Sequence, residues 1–346
     1  VAQAYGDSVP ILVLPMGYAR AAAHVTPNFN STLNFRNVTK LSEPITSADE
    51  ISNVMRRAFT QLRNGRPAPV LVEIPYDLFA EEISGEFSYK PTFSTRSGPD
   101  PDAVSEVAEV LVNAEHLVIY AGQGVHYAEA WPALRRLAEL LAAPVTSSLG
   151  GKSAFPENHA LSLGSGGRSM PRPVHEFLHN ADVIFGIGCS FTNTAFGVTM
   201  PNGPKIIHST LEPTDLNKDI EADYALIGDA SLTLDALISE VEDRLKGKQR
   251  DSAPVAKKIQ AMKTTWLEEW MPKLRSDQAP LSPYRVIWDL AQTVDIEKTI
   301  ITHDAGSPRD QISPFWPSIT PLSYIGWGKT TQLGSGLGFA MGAKLS

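Results

Sequence analysis

The feature that most constrains this chain is a series of short, unbroken apolar runs between residues 100 and 247, separated by helical stretches. Strands are read at 117–120, 144–146, 183–187, 205–208 and 224–227. A strand with one face in water alternates apolar and polar side chains. A strand apolar at successive positions must be covered on both faces, as parallel strands between two helical layers are. Apolar residues at helical spacing fill the intervals 128–141 and 231–245. Ahead of the first strand, Asp100-Pro101 opens a helix that carries Val104, Val107, Ala108 and Leu111, with proline at its first position. A doubly wound parallel sheet of about 150 residues answers this pattern.

The flanks carry further α/β pieces. Upstream, 9–14 and 69–75 read as strands. Between them Ser47-Ala48-Asp49-Glu50 reads as a capping box, with Ser47 at N-cap and Glu50 at N3. Ile51, Val54, Met55, Ala58, Phe59 and Leu62 then follow helical spacing to Gly65. Residues 84–99, rich in Ser, Gly, Pro and Thr, read as a linker. The charged stretch 248–280 reads as a second, surface connector with a helix near 255–274. A helix at 284–291 and a strand at 299–302 begin a third block. Val1 to Tyr5 resembles the end of a helix already under way, and Ser346 falls inside another, so the chain is expected to be a piece of a longer protein.

Composition narrows the partners. The 346 residues carry 30 basic and 38 acidic side chains, a formal charge of −8, which argues against nucleic acid and anionic membranes. No window of 18 apolar residues offers a membrane span. The single cysteine, Cys189, excludes internal disulfides and cysteine-rich metal sites and fits a reducing, cytoplasmic setting. It is expected to be a buried spectator. No two of the eight histidines stand at metal-ligand spacing; His126, His159, His175 and His179 are expected in loops or on helix surfaces, and His208 packed at a strand end. Lys152 follows Gly150-Gly151 but lacks the earlier glycine of a Walker loop.

Two groups of turns remain as candidate sites. Gly122-Gln123-Gly124, Gly186-Ile187-Gly188 and Gly228-Asp229-Ala230 each follow a strand of the central sheet. They read either as a nucleotide groove or as tight turns without a ligand. At the other end of the chain, His303-Asp304-Ala305-Gly306-Ser307-Pro308 follows the last strand, and the stretch from Gly326 to Lys344 holds six glycines in nineteen residues. Absent Cβ atoms let a backbone approach another group closely. Asp304 and Asp310 flank Gly306 and read either as site carboxylates or as solvated turn residues.

Taken together, these segments resemble the thiamine-diphosphate enzymes of the acetolactate synthase type. The resemblance runs through Asn37-Val38-Thr39-Lys40, through Pro69 to Asp77, through Gly122-Gln123-Gly124 and Lys152-Ser153-Ala154-Phe155-Pro156-Glu157, and through the terminal segment. It implies an α/β, three-domain arrangement of parallel doubly wound sheets with the outer two domains incomplete. Residues 1–83 would be the C-terminal half of a pyrimidine-binding domain, 84–99 a linker, 100–247 a central Rossmann-like domain, 248–280 a linker, and 281–346 the N-terminal part of a diphosphate-binding domain. The implied activity is non-oxidative decarboxylation or carboligation of a 2-oxo acid, with thiamine diphosphate as the electron sink. The alternatives are a nucleotide-binding oxidoreductase or deacylase using the central sheet, and a non-catalytic regulatory relative.

Site residues carry over position by position. Ala305, Gly306, Ser307 and Pro308 would lie near the diphosphate. Leu333 would take the place of the apolar wedge that bends the cofactor, with Gln332 beside it and the main chain at Thr331 accepting from the aminopyrimidine. Phe29-Asn30 sits where the family has Phe-Gln near the substrate. The activating glutamate is expected upstream of Val1, and the magnesium motif downstream of Ser346, so no metal ligand is assigned within the chain. Gly122, Gln123, Gly124, Gly188, Thr210 and Asp229 would line any nucleotide in the central domain. The basic and acidic run that holds FAD in the family is replaced here by Cys189-Ser190-Phe191-Thr192-Asn193-Thr194, and Thr210 stands for an aspartate. FAD is therefore not carried over, and an ADP-like ligand or none stays open. The family likeness also implies a homodimer or homotetramer.

Overall fold

The computed structural model describes every residue except Gly328, Thr330 and Thr331. The chain forms two compact units, Val1–Arg96 and Ser97–Ser346.

In the first unit, helices α1 (Ala2–Gly6), α2 (Ser31–Asn34) and α3 (Ile51–Arg63) accompany strands β1 (Leu12–Val13), β2 (Met16–Gly17), β3 (Leu41–Pro44) and β4 (Val70–Pro75). All of the pairing is parallel and runs through β4, which takes β1 and then β2 along its length and also pairs with β3. The strand expected over 9–14 is cut to two residues because Pro10 and Pro15 bracket it and neither can donate to a ladder. Ser47 does cap, but its hydroxyl accepts from Asp49 N at 3.3 Å rather than from Glu50, and a single 3₁₀ turn precedes α3. Val54 and Ala58 of α3 pack on Val70 and Val72 of β4.

The second unit contains helices α4 (Pro101–Asn113), α5 (Gly124–Tyr127), α6 (Trp131–Leu141), α7 (Arg172–His179), α8 (Ala230–Arg244), α9 (Ala253–Leu274), α10 (Pro283–Thr293), α11 (Ser307–Ile312) and α12 (Gly336–Leu345). Its strands are β5 (Leu117–Ala121), β6 (Val145–Ser147), β7 (Ser162–Ser165), β8 (Val183–Ile187), β9 (Lys205–Thr210), β10 (Tyr224–Ile227), β11 (Ile301–Thr302) and β12 (Tyr324–Ile325). Strands β5 to β10 make one parallel sheet in the order β10-β9-β8-β5-β6-β7. The chain runs outward from β5 to β7, then crosses back to β8, so the strand order reverses between β5 and β8. A separate parallel pair, β11 and β12, carries the third block.

Every residue of β5 and of β8 is buried, as the continuous apolar runs require. One face packs on Leu134, Leu137, Leu234 and Leu237 of α6 and α8, and the other on Val174, Leu178 and Ile259 of α7 and α9. Asp100 caps α4 through Asp102 N and Ala103 N, at 2.9 and 3.3 Å. The helix expected over 128–141 is broken, because Glu129 adopts a positive φ and Pro132 restarts the helix. The stretch expected as a surface connector is instead held in place. Ile259 and Leu274 of α9 are fully buried, and Trp266 and Trp270 pack against Phe315, with ring centroids 5.1 and 5.0 Å away.

Candidate functional site

The terminal turn and the glycine-rich segment form one structure. Strand β11 ends at Thr302 and the chain turns through His303 to Gly306 before α11. The Asp304 carboxylate accepts from Ala305 N at 2.8 Å and from Gly334 N at 2.9 and 2.8 Å, thirty residues further on. Thr302 Oγ1 donates to Gly336 O at 2.9 Å, and Trp327 Nε1 donates to Ser335 Oγ at 2.5 Å. A Cβ on Gly336 would stand 2.9 Å from Asp304 N, so only glycine lets the two backbones approach this closely. His303 is buried, and its Nδ1 donates to the Asp304 carbonyl at 2.9 Å. Burial holds its imidazole neutral by pushing the pKa below the usual value.

Of the residues assigned to this site, Ala305 is buried while Gly306, Ser307, Pro308 and Gln332 face solvent. Leu333 is 75% exposed. Gly306 and Gly334 take φ of 81° and 84°, conformations that favour glycine, and no described residue stands within 4 Å of where their Cβ atoms would be. Thr331 lies outside the described residues. The structure thus brings 305–308 and 332–333 together as an open turn with an apolar side chain beside it. Neither carboxylate is a solvated turn residue: Asp304 ties two amides, and Asp310 accepts from Arg309 Nε at 2.9 Å. Among the described residues, no group of three His, Cys, Asp or Glu side chains could hold a metal ion.

A buried charged cluster that sequence reasoning missed joins this block to the central sheet. Lys152 Nζ lies 2.6 and 2.7 Å from the two carboxylate oxygens of Glu157, and the Lys152 side chain is fully buried. Glu157 also accepts from Ser165 Oγ of β7 at 2.5 Å and from Ser318 N at 2.9 Å. Its backbone N–H donates to Ser318 O at 3.1 Å. Burial pushes the Lys152 ammonium below the usual lysine range, against the opposing pull of Glu157. The available signal was a lysine and a glutamate five residues apart in a stretch without periodicity, which alone specifies nothing.

The three turns of the central sheet do gather at the carboxyl ends of the strands. Gly124 N donates to Gly188 O at 2.8 Å, and Gly122 N to Ile187 O at 2.9 Å. A Cβ on Gly122 would collide with the Gly188 carbonyl. These glycines therefore have a packing role that needs no ligand: they let two backbones cross where the strand order reverses. Gln123 Nε2 reaches Tyr127 OH at 3.3 Å. Thr210 is buried, and its Oγ1 accepts from Glu212 N at 3.1 Å. The Asp229 carboxylate caps α8 through Ser231 N and Leu232 N, at 3.1 and 3.2 Å. Cys189 is buried, and burial pushes its thiol up to about 12.

Two histidine expectations resolve differently. His208 is packed, bonded to Cys189 O at 3.0 Å. His126, expected near the surface, is instead wedged between Trp131 Nε1, which donates to its Nδ1 at 2.9 Å, and Lys152 O, 3.0 Å from its Nε2. In the first unit, Phe29 is exposed and meets Phe35 edge-on. The Asn30 side chain caps α2 by accepting from Leu33 N at 2.9 Å, so that oxygen already has a structural partner.

Comparison with known proteins gives a consistent result. Residues 104–237 match the thiamine pyrophosphate enzyme central domain. All of the chain aligns with 60% of a probable acetolactate synthase large subunit from Methanocaldococcus jannaschii, at 29% identity. A glyoxylate carboligase from Escherichia coli O157:H7 is 31% identical over 82% of this chain and 48% of its own length. A putative thiamin diphosphate-dependent enzyme from Mycobacterium smegmatis shares the fold over 99% of this chain and 64% of its own, with a TM-score of 0.78 and 22% identity. The chain thus spans about half to three fifths of the curated relatives it matches.

Proposed function

We propose, for a chain that belongs to the thiamine-diphosphate-dependent enzymes of the acetolactate synthase type, that the protein carrying it decarboxylates or ligates 2-oxo acids. The observation that carries this reading is the pinning of the Leu333 turn against the Gly306 turn by Asp304. An exposed turn with a positive-φ glycine leaves its backbone accessible to a diphosphate, and an exposed leucine beside it suits a folded cofactor. Gly306 and Ser307 would contact the diphosphate, with Ala305 and Pro308 framing them. Leu333 would support the bend between the two rings, with Gln332 and the main chain at Thr331 beside the pyrimidine. Thiamine diphosphate, when bound, supplies an electron sink for the carbanion left by loss of carbon dioxide. Mg²⁺ belongs to the proposal as the ion that ties a diphosphate to oxygen ligands, but no residue of this chain is assigned to it.

Phe29 and Asn30 are proposed near the substrate, with Phe29 as the contacting group because the Asn30 oxygen is engaged in its cap. Gly122, Gln123, Gly124, Gly188, Thr210 and Asp229 are proposed to border any central-domain ligand, with FAD not carried over and either an ADP-like molecule or no ligand in its place. The domain boundaries given above, a homodimer or homotetramer and a cytoplasmic location complete the reading.

The test is calorimetry on the full-length protein, with thiamine diphosphate titrated in the presence and absence of magnesium, followed by a screen of 2-oxo acids for carbon dioxide release. Magnesium-dependent binding is expected, from a protein without the flavin absorption near 450 nm (roughly, from general flavin chemistry). Absence of binding under both conditions would refute the function.

A further inference from the structure

We propose that Asp304 is a positioning residue, one whose carboxylate holds the Leu333 turn in place beside the Gly306 turn. The inference rests on the thiamine-diphosphate reading of that site. Its basis is the geometry of the carboxylate. Both oxygens accept from Gly334 N, the amide next to Leu333, while one also accepts from Ala305 N, the amide next to Gly306. The bond to Ala305 N stays within the turn that carries Asp304, whereas the bonds to Gly334 N reach thirty residues along the chain, so it is the Leu333 turn that depends on this side chain for its place.

Asp304 shares this work with Ser335, whose Oγ donates to Gln332 O at 3.1 Å and accepts from Trp327 Nε1, but it alone ties the Leu333 turn to the Gly306 turn among the described residues. Leu333 is 75% exposed, and among the described residues nothing stands in the Cβ directions of Gly306 and Gly334, so packing by those residues does little to hold either turn. Gly334 has a φ of 84°, a conformation that gains no intrinsic preference over its alternatives in glycine. A hydrogen bond to a charged acceptor selects it. On the far side, Thr302 ties Gly336, and His303 holds the Asp304 carbonyl, so the carboxylate itself is anchored. An aspartate is needed rather than a longer acid, because Ala305 N is the amide immediately following it in the chain. Asparagine could keep one acceptor for Gly334 N but would turn its NH₂ group towards a second donor.

The mechanism makes a prediction that a general loss of folding does not. If Asp304 acts by placing Leu333, its loss should weaken a ligand that meets Leu333 and spare one that meets only the diphosphate turn. The experiment titrates thiamine diphosphate and inorganic pyrophosphate, each with magnesium, into the full-length protein and its Asp304→Ala, Asp304→Asn, Leu333→Ala and Asp304→Ala/Leu333→Ala variants. Loss of a charge-assisted hydrogen bond should weaken thiamine diphosphate by about ten- to a hundredfold in Asp304→Ala, with less effect in Asp304→Asn. Pyrophosphate affinity should change less than about threefold, and the double variant should be no weaker than Asp304→Ala. Equal losses for both ligands, additive losses in the double variant, or unchanged affinity would each overturn the proposal. If Asp304→Ala does not fold, Asp304→Asn carries the same comparison at smaller amplitude. Failure of the unsubstituted protein to bind thiamine diphosphate would instead remove the functional reading itself.

Discussion

Replacing Glu157 by alanine tests the buried cluster beneath the candidate site. The Lys152 side chain has no solvent exposure, and Glu157 is 11% exposed. Glu157→Ala removes the only carboxylate within ion-pair distance of Lys152 among the described residues, together with acceptors for Ser165 Oγ and Ser318 N. An ammonium stripped of its partner in such a place costs about 3–5 kcal/mol, far more than the pair contributes net of its own desolvation. Glu157→Gln keeps an acceptor for Ser318 N and should cost less.

The measurement is urea unfolding followed by tryptophan fluorescence, which isolates the relevant unit. All six tryptophans (Trp131, Trp266, Trp270, Trp288, Trp316 and Trp327) lie within Ser97–Ser346. The pH dependence supplies a second check. Burial already lowers the Lys152 pKa, and without Glu157 the group that raises it is gone. The folded variant then binds fewer protons than the unfolded chain, whose lysine titrates near about 10.4, so stability rises with pH across that window. The deficit against the unsubstituted protein should therefore shrink between pH 7 and pH 10. A loss below about 1 kcal/mol at pH 7, or a deficit that does not narrow, would refute the account of Lys152 as a buried ammonium whose charge is balanced by Glu157.

Two further outcomes follow from the central sheet. Gly122→Ala forces a methyl group onto the Gly188 carbonyl at the crossing of two turns, and should destabilise by about 2 kcal/mol or more; a melting temperature unchanged within error would show that the crossing yields without cost. Cys189, its thiol pushed up to about 12 and buried, should resist alkylation in the native protein at pH 8 and react once the protein is unfolded in urea. Rapid stoichiometric labelling of the native protein would contradict this.

What the sequence disclosed follows from which interactions are local. The runs at 117–120 and 183–187 were legible because burial on both faces writes itself directly into composition, and Asp100 was legible because its cap bonds lie two and three residues away. Strand Ser162–Ser165 was not legible: it is an edge strand, two of its four residues are serines, and Ser165 is buried for a hydrogen bond to Glu157 rather than for apolar contact. Helix Ala253–Leu274 looked like a connector because charged residues recur along it, while its anchoring depends in part on Phe315, far along the chain. The candidate site divides along the same line. Gly306, Ser307 and Leu333 could be placed by resemblance, since each stands in a short recognisable run. The bond that assembles them joins Asp304 to Gly334 across thirty residues, and no local pattern encodes it. An aspartate before a turn glycine is an ordinary turn residue until the amide it accepts from is known, so the step from a motif to a cradle is the one that required the fold.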